Sequence, residues 1–531
     1  MLLNRVLALA ALVVAHSSSA HAQQGPVNGM RPSDPARHAL IGAKVIVKPG
    51  VTIEKATILV RDGLIEAVGA DLAIPAGYRV FDLTGKTVIP AFIEAALAVD
   101  SADASAAALR APAAHWNQNI TPEVSAVTLA IPDATLDALR SQGFAIARVI
   151  PEDGIFRGSS DLRILARTTE RVTQRELGGN TVQVMGPRSM DFSQFGGMQN
   201  PATPGAPAPA APTIPRGNDR ESRYPSSLMG SYAIMRQTLL DAAWRNECLA
   251  ATPTTTLPAE DMNALDALQP LLTGSHGIMV DASDELEVTR LVQLVQTHLP
   301  KSAITVLGNG NEFRAQAELV ALANSANASF IVPLEFPQAP DLVSPMAADS
   351  VSLRDLMTWR YAATNAKRFI NAGATVALTT HRMHDKSAFR KRLAEAITHG
   401  LSADEALASI TTTPARLLGI DECVGTIETG KIANLVIAAG DPFDAETKFE
   451  GMFVAGALVV AMPDAPVLAA GTFTATTSAT TPKPIANELR IVIDPKDSSL
   501  KATWTPVVAA PVEVVEPVVE PVVEPVVEPK I

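Results

Sequence analysis

Two histidines three apart, His381 and His384, stand beside Asp385 just after the apolar run VALTT at 376–380. An imidazole can bind a metal or carry a proton near neutral pH, and carboxylates complete either kind of site. Asp281 and Glu335 close two other apolar runs. Two imidazoles and two carboxylates suffice for a metal ion or an acid–base pair. His381, His384, Asp281 and Glu335 are therefore the candidate metal set, with His381 and Asp281 the candidate catalytic pair. The bland alternative is a solvated loop, because Arg382, Lys386 and Arg390 crowd the same stretch. Arg157, in Arg157-Gly158-Ser159-Ser160, could clamp a substrate carboxylate with two N–H groups, or simply stabilise a turn.

The remaining histidines suggest less. His16 and His21 lie in the leader, His38 in what reads as a polar linker, and His115 beside Trp116 as a loop cap. His276, His298 and His399 fall at element ends and read as structural. The chain contains no Gly-x-Ser-x-Gly, no phosphate-cradling glycine loop and no Cys–His pair that would offer another chemistry.

The elements that must position these groups alternate. Strands are expected at Ala145–Ile150, Gly277–Ala282, Ala303–Gly308, Phe330–Leu334 and Thr375–Thr380. Helices are expected at Glu285–His298, Phe313–Asn324, Leu353–Asn371 and Ala388–His399, where apolar residues recur at three- and four-residue spacing. Strands alternating with helices imply a parallel sheet, here an α/β fold closed as a (β/α)8 barrel. Residues 39–83 instead read as short strands, with Asp62-Gly63 marking a hairpin.

Gly85–Asp100, GKTVIPAFIEAALAVD, is a turn, a buried strand and the strand's C-terminal mouth. It resembles the first barrel strand of the amidohydrolase superfamily, which ends Asp-Ala-His-x-His. Gly425–Ile437 is similar to that family's Gly-x-Ile-x-x-Gly-Lys-x-Ala-Asp-Leu-Val run, with Asn434 in place of Asp. Thr413–Gly419 resembles its last barrel helix, while Asp441-Pro442 and Phe453–Gly456 follow as its next strands do. Residues 143–160 and 224–244 resemble exported imidazolonepropionase-like amidohydrolases. The resemblance implies a TIM barrel carrying a composite β-sandwich formed by both chain ends. Its expected divisions are 23–85 and 421–463 for the sandwich and 86–420 for the barrel, with a Pro/Gly-rich insertion at 187–223.

The resemblance also implies a metal site at the strand ends, and the sequence departs from it there. Ala96 and Ala98 stand where two histidines belong, Asp281 and Gly308-Asn309 where two more are usual, and His381 where the family has an aspartate. A methyl group donates no lone pair, and three protein ligands are the usual minimum for catalytic zinc. The expectation is no metal cofactor, zinc being the alternative through the rearranged set above. Function then divides between a non-catalytic partner of an intact amidohydrolase paralogue and a hydrolase of C–N bonds in cyclic amides or small peptides.

Residues 1–22 have the form of an export signal: Arg5, an apolar run from Val6 to Ala15, then Ala20-His21-Ala22. That run is too short to span a bilayer, which takes ~20 residues, and no later stretch reaches that length. A periplasmic or extracellular protein without a transmembrane segment is expected. Net charge of −12 argues against a nucleic-acid partner, which would need clustered Lys and Arg. Cys248 and Cys423 could pair after export but cannot form a disulfide scaffold. Residues 464–531 end in a repeated Glu-Pro-Val-Val tract, read as an extended spacer that could contact envelope components. A homo-oligomer is a further possibility for the barrel.

Overall fold

The computed structural model describes residues 37–166, 177–187, 224–251, 262–340, 342–459, 487–493 and 500–506. The leader, almost all of the 187–223 insertion and the repeat tract lie outside the described residues. Contacts divide the chain into two units, Met1–Ala461 and Met462–Ile531. The second contains one antiparallel hairpin, Asn487–Ile493 with Leu500–Pro506.

The first unit opens with β1 (Arg37–Lys48), β2 (Val51–Arg61), β3 (Leu64–Gly69), β4 (Arg79–Asp82) and β5 (Thr87–Pro90). Asp62 and Gly63 both have positive φ, 51° and 81°, the twist a two-residue hairpin between β2 and β3 requires. Much later come β15 (Leu435–Ala438), β16 (Phe449–Val454) and β17 (Ala457–Val459). Both chain ends join one eight-stranded sheet, because β15 pairs antiparallel with β5, Val436 opposite Ile89. Strands from both chain ends thus share one hydrogen-bonded sheet, the module expected from the two termini. Three register shifts along β1 let it pair with β2, β4 and β5 around one apolar core that includes Leu40, Val45, Ile58 and Phe453. His38 belongs to this core rather than to a polar linker: it is 2% exposed, with its ring 5.4 Å from that of Phe453.

Between these ends lies the second layer: β6 (Phe92–Val99), β7 (Phe144–Pro151), β8 (Phe156–Ser159), β9 (Asp161–Ile164), β10 (Val182–Met185), β11 (Gly277–Asp281), β12 (Ile304–Leu307), β13 (Ala328–Pro333) and β14 (Val376–Thr379). Strands β10 to β14 pair in parallel in chain order, and β6 pairs parallel to β7. The short run 156–164 turns back between them. Its β9 half lies antiparallel to β7, and its β8 half antiparallel to β10. The all-parallel expectation is thus corrected at one position.

No strand ladder joins β14 to β6. Buried Glu94 crosses that seam, accepting from the Thr380 backbone N–H at 2.8 Å, the Ala96 N–H at 3.1 Å and the Thr379 hydroxyl. Helices cover the arc's outer side, including Glu285–His298, whose first turn is capped by the Asp284 carboxylate accepting from the Leu286 and Glu287 N–H groups.

Candidate functional site

A cleft of about 1030 Å³ opens at the C-terminal ends of the strands. Its walls include Ala98 from β6, Arg157 from β8, Asp281 from β11, and His381, Arg382, Met383 and Lys386 beyond β14.

Asp281 is 7% exposed and bound on both oxygens by arginines. Arg157 Nη1 donates to Oδ2 at 2.7 Å and Arg382 Nη2 to Oδ1 at 2.6 Å. Burial alone would raise the Asp281 pKa, but the guanidiniums of Arg157 and then Arg382 outweigh it and hold it at about 2. His381 goes the other way. Burial, with the neighbouring cations, lowers its pKa to about 4 despite Asp281, so at neutral pH the imidazole is uncharged. The two guanidiniums then keep Asp281 ionised without its help.

Local backbone makes this pairing possible. A Cβ on Gly186, directly after β10, would lie 2.9 Å from Arg157 Nη2 and 2.7 Å from the Asp281 carbonyl oxygen, so only glycine leaves the guanidinium its path. Arg382 sits at φ 61°, a left-handed conformation that costs a side-chain-bearing residue of order 1 kcal/mol. Its ion pair to Asp281 helps hold that turn.

The expected ring of four ligands does not assemble. His384 is exposed, and its backbone N–H, not its ring, meets Glu335 Oε2 at 3.2 Å. Neither His384 nor Glu335 lines the cleft. Asp385 is occupied in capping a turn, accepting from Ser387 N–H at 2.9 Å. Among the described residues no group of three or more His, Cys, Asp or Glu side chains could hold a metal. Of the four, the structure brings only Asp281 and His381 into one cavity.

The residues fit a family-type metal poorly on their own chemistry. Ala96 and Ala98 offer methyl groups, and two guanidiniums already compensate the charge of Asp281. At the strand-six position a Cβ on Gly308 would fall 2.0 Å from Glu312 Oε1, so an imidazole there would have to displace that carboxylate. Glu312 fills that space, accepting from the Asn309 and Gly310 N–H groups at 2.6 and 3.1 Å.

Arg382 and Lys386, which resembled solvated-loop residues, are wall residues of the cleft. Arg390 is not: its guanidinium lies 3.7 Å from the Phe449 ring centroid. Glu152 and Glu287 complete the charged lining, and Glu287 is bound to Ser283 through the N–H at 2.8 Å and the hydroxyl at 2.6 Å. Nothing local in the sequence distinguished these residues; only their shared position past strand ends connects them. His115 caps its loop, accepting from the Asn117 N–H at 3.0 Å. Cys248 and Cys423 are both free thiols.

The amidohydrolase family model matches residues 241–464, which contain β11 through β17. The imidazolonepropionase of Thermoplasma acidophilum is 37% identical over 84 residues, 15% of this chain and 20% of that protein. The chain thus spans about a fifth of that curated relative. Over residues 241–464 the chain is similar to the amidohydrolase family. An amidohydrolase from Thermotoga maritima superposes with a TM-score of 0.58 at 17% identity, covering 79% of this chain and 99% of that one. At that identity the likeness speaks for the fold alone, a TIM-barrel-type α/β arrangement beside a sheet module. The fold is shared with that structure, while the groups at the strand ends are this chain's own.

Proposed function

We propose that this amidohydrolase-superfamily protein is exported and serves as a non-catalytic partner, binding at its cleft rather than hydrolysing there. The observation that carries the reading is the ion triad Arg157–Asp281–Arg382, with alanines at 96 and 98. A carboxylate held on both oxygens by guanidiniums is already charge-compensated, and those cations repel a divalent ion. The arc from β6 to β14 reads as a closed barrel in which the 156–164 strand takes one place antiparallel and Glu94 seals the seam. An intact paralogue is the proposed partner. No described helix is long and apolar enough to cross a membrane.

A second reading is favoured by His381 and Asp281 sharing one cleft and by the stretch similar to imidazolonepropionase. It is a hydrolase of C–N bonds with a rearranged site. Elemental analysis of the purified full-length protein separates the two. Substoichiometric metal, with no gain of amide hydrolysis on added zinc, supports the first reading. Near-stoichiometric zinc lost in His381→Ala supports the second and overturns the first.

A further inference from the structure

The geometry points to the cleft as a pocket for a small organic acid, its carboxylate seated on Arg382 and Lys386 and its carbon body along the apolar wall. This rests on the reading that no metal occupies the strand ends. Arg382 spends one N–H on Asp281, and among the described residues its Nε and Nη1 have no partner. Its side chain is 29% exposed, so these donors are accessible from the cleft. Lys386 lines the same cleft and likewise makes no ion pair among the described residues.

The charge count at the floor is favourable. Arg157 and Arg382 against Asp281 leave one net positive charge, and Lys386 adds a second. His381 contributes none at neutral pH. The other two lining carboxylates, Glu287 on Ser283 and the exposed Glu152, balance these charges over the cleft as a whole, so the positive surplus is local to the floor. An incoming carboxylate meets the planar donors that suit it, in a partly desolvated setting where such bonds are strong.

The remaining lining selects the rest of the ligand. Ala98, Pro187, Leu228 and Met383 contribute apolar surface. A volume near 1030 Å³ far exceeds what an inorganic anion fills, and lies at the upper end of small-molecule pockets. A cationic floor with an apolar wall fits an anion that has a hydrocarbon portion. Asp281 then acts as an internal competitor, holding Arg157 and part of Arg382.

Titration calorimetry of the full-length protein with hexanoate, hexanol, acetate and inorganic phosphate tests this. Saturable hexanoate binding is expected, tighter than acetate or phosphate, with hexanol much weaker. Arg382→Gln and Lys386→Gln should each weaken hexanoate by roughly ten-fold or more, as loss of a charge-assisted hydrogen bond does. Asp281→Asn should tighten it, because the competing charge is gone, an effect that a purely structural role would not produce. Circular dichroism checks each variant for folding, and if Asp281→Asn fails it, the two cation variants decide. Binding indifferent to both cation variants, phosphate binding as tightly as hexanoate, or no saturation at all overturns the inference. Stoichiometric zinc in the same preparation would instead sink the underlying non-metal reading.

Discussion

Glu94 and Asp281 are carboxylates buried in the same strand arc, at its seam and at its open end, and they are held in opposite ways. Glu94 is 0% exposed and meets only neutral donors: two backbone N–H groups and a threonine hydroxyl. Burial outweighs those bonds and raises its pKa. Asp281 is 7% exposed, but two guanidiniums bring its pKa to about 2. Burial sets what a charge costs, and the partner decides whether the charge is there at all. At the seam an acid of raised pKa ties two strands; at the open end a fixed anion organises cations around a cleft.

The largest effect should come from stripping that anion of a partner. Arg157→Ala is expected to cost about 2–3 kcal/mol in urea unfolding, since it removes a buried charge-assisted bond and leaves Asp281 with Arg382 as its one ionic partner. A loss below 1 kcal/mol would remove the contrast between the two sites. Next comes acid. His381 has a folded pKa near 4, below its ordinary 6.5, so its stabilising contribution is full above pH 6.5 and lost as pH falls toward 4. That loss amounts to at most roughly 3 kcal/mol, and His381→Gln should flatten this part of the stability–pH curve. Asp281, also lowered, loses its contribution from below about 3.8 down to about 2.

Glu94 has the reverse sign: its raised pKa gives stability that is present below its ordinary value and declines as pH rises through the folded one. Glu94→Gln should cost no more than about 1 kcal/mol and gain on wild type toward alkaline pH, whereas Glu94→Ala should cost about 1–3 kcal/mol by leaving buried donors unmet. Thermal denaturation across pH measures both. The smallest change is expected at Arg148, fully buried on β7, with one bond, Nη2 to the Asn180 carbonyl at 3.1 Å, and burial lowering its pKa to about 10. Among the described residues its Nε and Nη1 have no partner. Arg148→Met should be neutral or stabilising by up to about 2 kcal/mol, and a marked loss would show that buried cations need not be paired here.

Legibility followed the range of the interaction. Gly277–Ala282 was readable as a strand and ends one residue earlier, at Asp281; the helix Glu285–His298 has the expected bounds. Both are apolar patterns with local capping. The expected long helix over 353–371 breaks into Leu353–Tyr361, a 3-10 turn and Asn365–Asn371, and its first piece buries no residue. Strands β8, β9 and β10 were invisible because four residues each carry no measurable period.

The sequence by itself determined what the end of β6 lacks: the alanines at 96 and 98 offer no side-chain atom to coordinate an ion. It also determined the alternation of strands and helices, since hydrophobic periodicity is written within a few residues. Only the tertiary structure decided who meets Asp281, from partners 124 and 101 positions away. Charge pairing depends on which strand ends converge and on the room Gly186 leaves, quantities that no local pattern encodes.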